Sequence, residues 1–202
     1  SDHVKGLKTF LKKYKIPVIA SDLTLKALFD NGILSDDDLV LCADKDIKIE
    51  NFTLRHIRTS HDCEGSGGYI IGLPDERSVA VVTDLGYISD DIKNSISGCD
   101  LVMLESNHDI NMLKKGSYPY SLKERILSDK GHLSNTACAA LLPELVSSGT
   151  TRIILAHLSQ QNNLPTLALS TSRASLVDAG FREDIDYILY VAPVFGGRMF
   201  TL

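Results

Sequence analysis

Apolar and polar positions alternate along the chain with two different periods, and these periods separate predicted helices from predicted strands. Over residues 4–14 apolar side chains recur three or four positions apart, which is the helical period, with lysines between them. Residues 52–58 alternate with a period of two, as an extended strand does. The same reasoning predicts further helices at 23–29, 89–97, 109–115, 122–128, 134–146 and 167–178, and strands at 17–20, 69–72, 79–83, 101–104, 153–156, 187–191 and 199–202.

The order of these elements indicates a layered α/β protein. Strands come in pairs first, including a hairpin around the turn at 74–77, and later alternate with helices. We interpret residues 1–202 as a single domain, because no repeat, low-complexity tract or linker divides them. The longest apolar runs are strand-sized and far below the ~20 residues that a membrane helix needs, so we expect no membrane partner.

Composition and charge narrow the function only a little. The 44% apolar and 23% charged fractions are ordinary for a soluble globular protein. The net charge of −5 argues weakly against a nucleic-acid binder, although bound divalent metals would offset it locally. The four cysteines are scattered without a Cys-x-x-Cys pair, which favours reduced thiols in the cytoplasm over a disulfide framework.

Histidine and aspartate recur just after predicted strands. His61, Asp84 and His157 each follow a strand, and Asp2 and His3 open the chain. Such positions lie at the sheet edge where open α/β sheets place ligands, and imidazole with carboxylate suits zinc, manganese or iron. One histidine at a strand end is more often structural, and Asp84 is alternatively a helix cap. The recurrence favours a metal site.

Several of these positions belong to motifs of a known family. The set resembles the signature motifs of the metallo-β-lactamase superfamily, and two further motifs resemble its YycJ/WalJ-like branch. Proteins of that branch are bacterial, cytoplasmic, regarded as nucleases and related to the tRNA-processing enzyme RNase Z. The superfamily motifs are at residues 1–7, 61–69, 83–86 and 157–165, and the branch motifs at 104–109 and 131–135.

The resemblance implies an αββα four-layer sandwich that binds two divalent metal ions, zinc or manganese. It assigns Asp2, His3, Asp84 and His157 to the second ion, and His61 with the bridging Asp84 to the first. The family signature has two further histidines that would precede residue 1. We therefore expect the fold to be N-terminally incomplete here and the first metal site to lack ligands, with weak or no activity.

The resemblance also implies how the site works. Two metal ions ~3.5–4 Å apart hold a bridging water that attacks as hydroxide. Asp84 bridges the ions, His132 is the expected acid for the leaving group, and Glu105 the residue that orients it. Alternatively, Glu105 is an ordinary strand-end carboxylate and His132 a helix-entry residue. His108 either contacts the substrate or shapes its loop.

A locally basic stretch precedes His132. Residues 112–132 contain five basic and two acidic residues, an excess of three positive charges. This stretch, with Arg125 and Lys130 as candidate substrate contacts, is suited to binding phosphates. The alternative is a solvated helix face.

Three functions follow from these patterns. The first is a metal-dependent phosphodiesterase, or nuclease, with DNA or RNA as its partner. The alternatives are a thioester or lactone hydrolase of the same fold and a non-catalytic regulatory protein. The sequence leaves the oligomeric state open, with a homodimer as one option.

Overall fold

A computed structural model of the protein describes residues 3–197 and residue 199. Within that part, the strands are β1 (Val18–Ala20), β2 (Val40–Cys42), β3 (Ile47–Ile49), β4 (Phe52–Arg58), β5 (Gly67–Gly72), β6 (Ser78–Val82), β7 (Leu101–Glu105), β8 (Arg152–Ala156) and β9 (Ile188–Val191). The helices are α1 (Leu7–Lys13), α2 (Asp22–Asp30), α3 (Asp90–Ile96), α4 (Ile110–Lys115), α5 (Tyr120–Leu127), α6 (Asn135–Ser147) and α7 (Pro165–Asp178).

Seven strands form one mixed sheet in the order β3-β4-β5-β6-β7-β8-β9. The pairs from β3 to β6 are antiparallel, whereas those from β6 to β9 are parallel. The parallel strands β7 and β8 are almost wholly buried, as their apolar sequences require. Helix α7 packs against α6 and β9, so the main core extends from the sheet into this helix pair.

A smaller unit lies at the amino-terminal side of the described chain. Strands β1 and β2 form a parallel pair, and α1, α2 and their loops enclose a second apolar cluster that includes Leu11 and Leu25. The Tyr69 hydroxyl donates to the Ile19 carbonyl at 3.4 Å, which links this unit to β5. None of the described helices has both the length and the apolar composition to cross a membrane.

The structure confirms most predicted elements, moves the start of one helix and adds two short strands. The first helix begins at Leu7, because residues 4–6 form a turn. Strands β2 and β3 were not predicted; each is three residues long and lies in an Asp-rich stretch. The strand predicted at 199–202 lies outside the described residues except for Met199, which is 92% exposed and not in a strand.

Candidate metal centre

The candidate site lies where three parallel strands end. Asp84 is the second residue after the end of β6, Glu105 is the last residue of β7, and His157 directly follows β8. Since β6, β7 and β8 are parallel neighbours, their carboxyl ends meet at one sheet edge and bring these side chains together. Loops deliver His3, His61 and His132 to the same place.

Asp84 is surrounded by imidazoles. The distances from its carboxylate oxygens are 2.9 Å to His3 Nε2, 3.7 Å to His61 Nε2, 3.9 Å to His132 Nδ1 and 3.9 Å to His157 Nε2. Burial alone would raise the pKa of Asp84, but the hydrogen bond from His3 and the nearby His157 hold it well below its ordinary value. The carboxylate is therefore charged and central to the histidine cluster.

The backbone at two of these positions is strained. Asp84 has φ 57° and His157 has φ 55°, both in the left-handed region that non-glycine residues rarely adopt. Such conformations cost about 1–3 kcal/mol each and concentrate at functional sites. Both residues leave the ends of parallel strands, so the strain occurs where the chain turns a side chain toward the cluster.

Glu105 is fully buried and accepts four hydrogen bonds. Its Oε1 accepts from His132 Nδ1 at 2.8 Å and from His157 Nδ1 at 2.6 Å. Its Oε2 accepts from the backbone amides of Leu85 and Leu133, each at 3.1 Å. Burial would raise the pKa of Glu105, but the hydrogen bonds from the two histidines outweigh it and lower that pKa.

These bonds fix the ring tautomers. A carboxylate only accepts, so His132 and His157 carry their protons on Nδ1, which leaves Nε2 of each ring for a metal or a transferable proton. His61 has the same arrangement, because its Nδ1 lies 3.1 Å from the Gly131 carbonyl oxygen, another acceptor. Each of the three rings is therefore held by a hydrogen bond from its Nδ1.

The donor atoms fit divalent metal ions. Two sets each combine two imidazoles with Asp84, their ligand atoms lying within 4.8 Å of one another: His3, Asp84 and His157, and His61, Asp84 and His132. Three ligands of this kind are typical of a catalytic zinc. Glu105 also groups with His132 and His157, but its oxygens are already occupied by hydrogen bonds.

A buried amide network that the sequence analysis missed supports the site from below. Asn135 Nδ2 donates to Asn163 Oδ1 at 2.8 Å, and Asn163 Nδ2 donates to the Ser106 and Asn107 carbonyls at 2.8 and 3.0 Å. Asn107 Nδ2 in turn donates to the His157 carbonyl at 2.8 Å. Both Asn135 and Asn163 lie inside the family motifs, and this location was the only indication in the sequence analysis that they belong to the site.

The predicted substrate residues differ in their placement. His108 is 1% exposed, burial lowers its pKa to about 4, and neither ring nitrogen has a hydrogen-bond partner among the described residues. Its side chain lies beneath the surface, which favours the loop-shaping alternative. Arg125 is exposed but its Nε donates to Asp62 Oδ2 at 2.5 Å. Lys130 is exposed, and Asp2 lies outside the described residues.

Comparison with known proteins shows which family the chain resembles. Residues 1–158 match the β-lactamase superfamily domain. The chain is 37% identical over 188 residues to the exodeoxyribonuclease YycJ of Bacillus anthracis, an alignment that covers 90% of this chain and 69% of that protein. It is 33% identical over 199 residues to the exodeoxyribonuclease WalJ of Streptococcus pneumoniae, with 94% and 72% covered.

Two solved structures share the fold. The metallo-β-lactamase fold protein YhfI of Bacillus subtilis superposes with a TM-score of 0.64 at 14% identity, covering 95% of this chain and 70% of that one. Zinc-bound PqqB of Methylobacterium extorquens superposes with a TM-score of 0.66 at 18% identity, covering 100% and 70%. These likenesses confirm the metallo-β-lactamase fold class expected from the motifs.

Proposed function

The chain belongs to the β-lactamase superfamily, in the branch of YycJ- and WalJ-like hydrolases, and we propose that it is a nuclease that cleaves the phosphodiester bonds of DNA. Membership makes it a metal-dependent hydrolase. Its two relatives named exodeoxyribonucleases align with 90% and 94% of the chain, which supports DNA as the substrate and a chain end as the point of attack. The observation that carries the proposal is the buried Glu105 that holds two imidazoles beside Asp84.

We assign the donor atoms to two ions. His61 with Asp84 would hold the first ion, and His3, Asp84 and His157 would hold the second. Asp2 remains a proposed ligand of the second ion. When bound, divalent ions activate water for attack and stabilise the charge on a phosphoryl group.

His132 is assigned as the acid. Its Nδ1 is 2.8 Å from Glu105 Oε1 but 3.9 Å from Asp84 Oδ1, so the ring is held by Glu105. Nε2 is then the atom that gives a proton to the departing oxygen as the phosphorus–oxygen bond breaks. The Glu105 carboxylate keeps the ring in the correct tautomer and stabilises its charged form, as acidic partners of catalytic histidines do.

An activity panel tests the proposal. The purified protein is assayed with manganese or zinc on end-labelled linear DNA, circular single-stranded DNA, RNA, a thioester and a lactone. We expect metal-dependent release of nucleotides from linear DNA, at the low rate of a protein whose first metal site lacks ligands, and no cutting of the circle, since an exonuclease needs an end. Turnover of the thioester or lactone without cleavage of DNA would reject the nuclease in favour of a small-molecule hydrolase. Preferred cleavage of RNA would reject DNA as the substrate.

A further inference from the structure

Helix α5 contributes no buried residue to the fold, yet it borders a sizeable cavity. The cavity has a volume of about 530 Å³ and is lined by Lys114, Tyr120, Lys123, Glu124 and Leu127. Tyr120 is 75% exposed and Leu127 is 43% exposed, so an aromatic ring and an aliphatic side chain present apolar surface to solvent here. This surface requires an explanation other than core packing.

The carboxyl end of α5 is built into the rim of the metal centre. The His132 amide donates to the Ile126 carbonyl at 3.0 Å. Arg125 Nε donates to Asp62, whose other carboxylate oxygen lies 3.4 Å from His61 Nε2. Tyr120, at the other end, is six residues before Ile126 and therefore about 9 Å away along the helix axis. The same helix therefore borders the cavity with one face and contacts the rim of the candidate active site through Arg125 and Ile126.

Lysine, glutamate and tyrosine side chains supply the polar groups of the cavity. Lys123 Nζ donates to the Lys114 and Gly116 carbonyls at 2.9 and 2.6 Å, which fixes the wall between α4 and α5. The Glu124 carboxylate raises the pKa of the Tyr120 phenol. Lys114 and Lys123 supply two positive charges to the lining, against one negative charge from Glu124.

We propose that this cavity binds an unpaired nucleotide of a single-stranded DNA substrate, with the base stacked on Tyr120 and its phosphate beside Lys114. The inference rests on the proposed function and deepens it. A stacking platform with cations beside it is the usual means of holding single strands, because every base has a π-face, whereas paired bases are already stacked. The excess of three positive charges over residues 112–132, in a chain of net charge −5, directs the strand to this surface.

The test measures binding without cleavage. A single-stranded oligonucleotide that contains 2-aminopurine is titrated with the protein in EDTA, and both affinity and fluorescence quenching are recorded. We expect Tyr120→Ala to weaken binding by about 5- to 150-fold, the range for one base stacked on an aromatic ring, and to abolish the quenching. Tyr120→Phe keeps the ring and should retain both. The matched control is Tyr14→Ala, which removes another exposed tyrosine, 45% exposed, that follows α1.

Equal affinity and equal quenching for the native protein and Tyr120→Ala would overturn the inference. The inference would also be overturned if an equal concentration of duplex DNA abolished the quenching, because the cavity would then bind paired strands. Thermal unfolding of each variant shows whether lost binding reflects lost folding. Cleavage of DNA without dependence of binding on Tyr120 would remove only this inference. Binding that depends on Tyr120, in a protein that turns over a thioester or a lactone but not DNA, would instead remove the proposed function.

Discussion

At the level of single residues, Glu105 connects more of the candidate site than any one ligand does. A buried carboxylate is costly unless its oxygens are satisfied, and here two imidazoles and two backbone amides satisfy them. From the sequence, Glu105 is expected to orient His132 alone. The structure adds His157, so one carboxylate fixes both the proposed acid and a proposed metal ligand.

His132→Ala should lower turnover of DNA by roughly 10²–10⁴-fold, the usual contribution of a general acid, and leave the metal content unchanged. Rates are measured at saturating manganese, with bound metal determined by elemental analysis. His56→Ala is the matched control, because His56 lies in β4 and belongs to none of the candidate donor sets. Loss of metal in His132→Ala would place this histidine among the ligands and reject its role as the acid.

Glu105→Gln, in the same assay, should lower turnover at least as far. A glutamine side chain keeps only one acceptor oxygen. Its amide N–H groups would point at N–H donors, two of which now bond to each carboxylate oxygen of Glu105. Because His157 loses its partner too, we expect this variant to retain less metal than His132→Ala does. Native activity in Glu105→Gln would contradict the assignment of Glu105 as the residue that holds both rings.

At the level of elements, hydrophobic periodicity predicted the strands and helices that form the core. β4 has the predicted bounds, and β7 and β8 each differ by one residue, because their apolar runs are bounded by polar residues. β2 and β3 could not be found this way, since a three-residue strand is too short to establish a period. α5 was predicted although none of its residues is fully buried, because its sequence pattern alone is helical.

In the candidate site, too, some features could be predicted from the sequence and others could not. Asp84 and His157 could be identified because each follows a strand, and parallel strands bring their ends together. The pairing of Asn135 with Asn163 could not, because it depends on how the start of α6 and the loop before α7, 28 residues apart, meet in space. The burial of His108 depends likewise on the loops that cover it rather than on its local sequence.

Asn163→Ala tests whether the buried amides hold these loops. The change leaves the Ser106 carbonyl and Asn135 Nδ2 without the partner that each has at 2.8 Å in the native protein, whereas the Asn107 carbonyl keeps the Ser159 amide. Unsatisfied buried groups cost about 1–3 kcal/mol each, so urea unfolding should give a loss of free energy of at least this size. The exposed Asn94 is the control, because Asn94→Ala should change stability by no more than about 0.5 kcal/mol. An equally small effect at Asn163 would reject the supporting role.

At the level of the whole molecule, the candidate site joins segments that are far apart in sequence. His3 precedes the first helix, His61 follows β4, and His157 follows β8, yet all lie within 4 Å of Asp84. The four imidazoles around Asp84 come from segments that range from residue 3 to residue 157. A metal ion held there would cross-link the small amino-terminal unit to the main sheet, so metal binding and folding should be coupled.

Divalent metal should therefore stabilise the whole fold. A ligand that binds the folded state at 100 times its Kd adds about 2.7 kcal/mol, which for a chain of this size raises Tm by about 5–10 °C. Differential scanning calorimetry with manganese or zinc against EDTA measures this rise. Asp84→Asn should abolish it, because asparagine tolerates the left-handed backbone at φ 57° but lacks the charge shared by both donor sets. Asp46→Asn, which breaks only an exposed ion pair with Arg55, should keep the full rise. A rise that persists in Asp84→Asn would place the metal elsewhere in the molecule, and no rise in the native protein would reject the donor sets themselves.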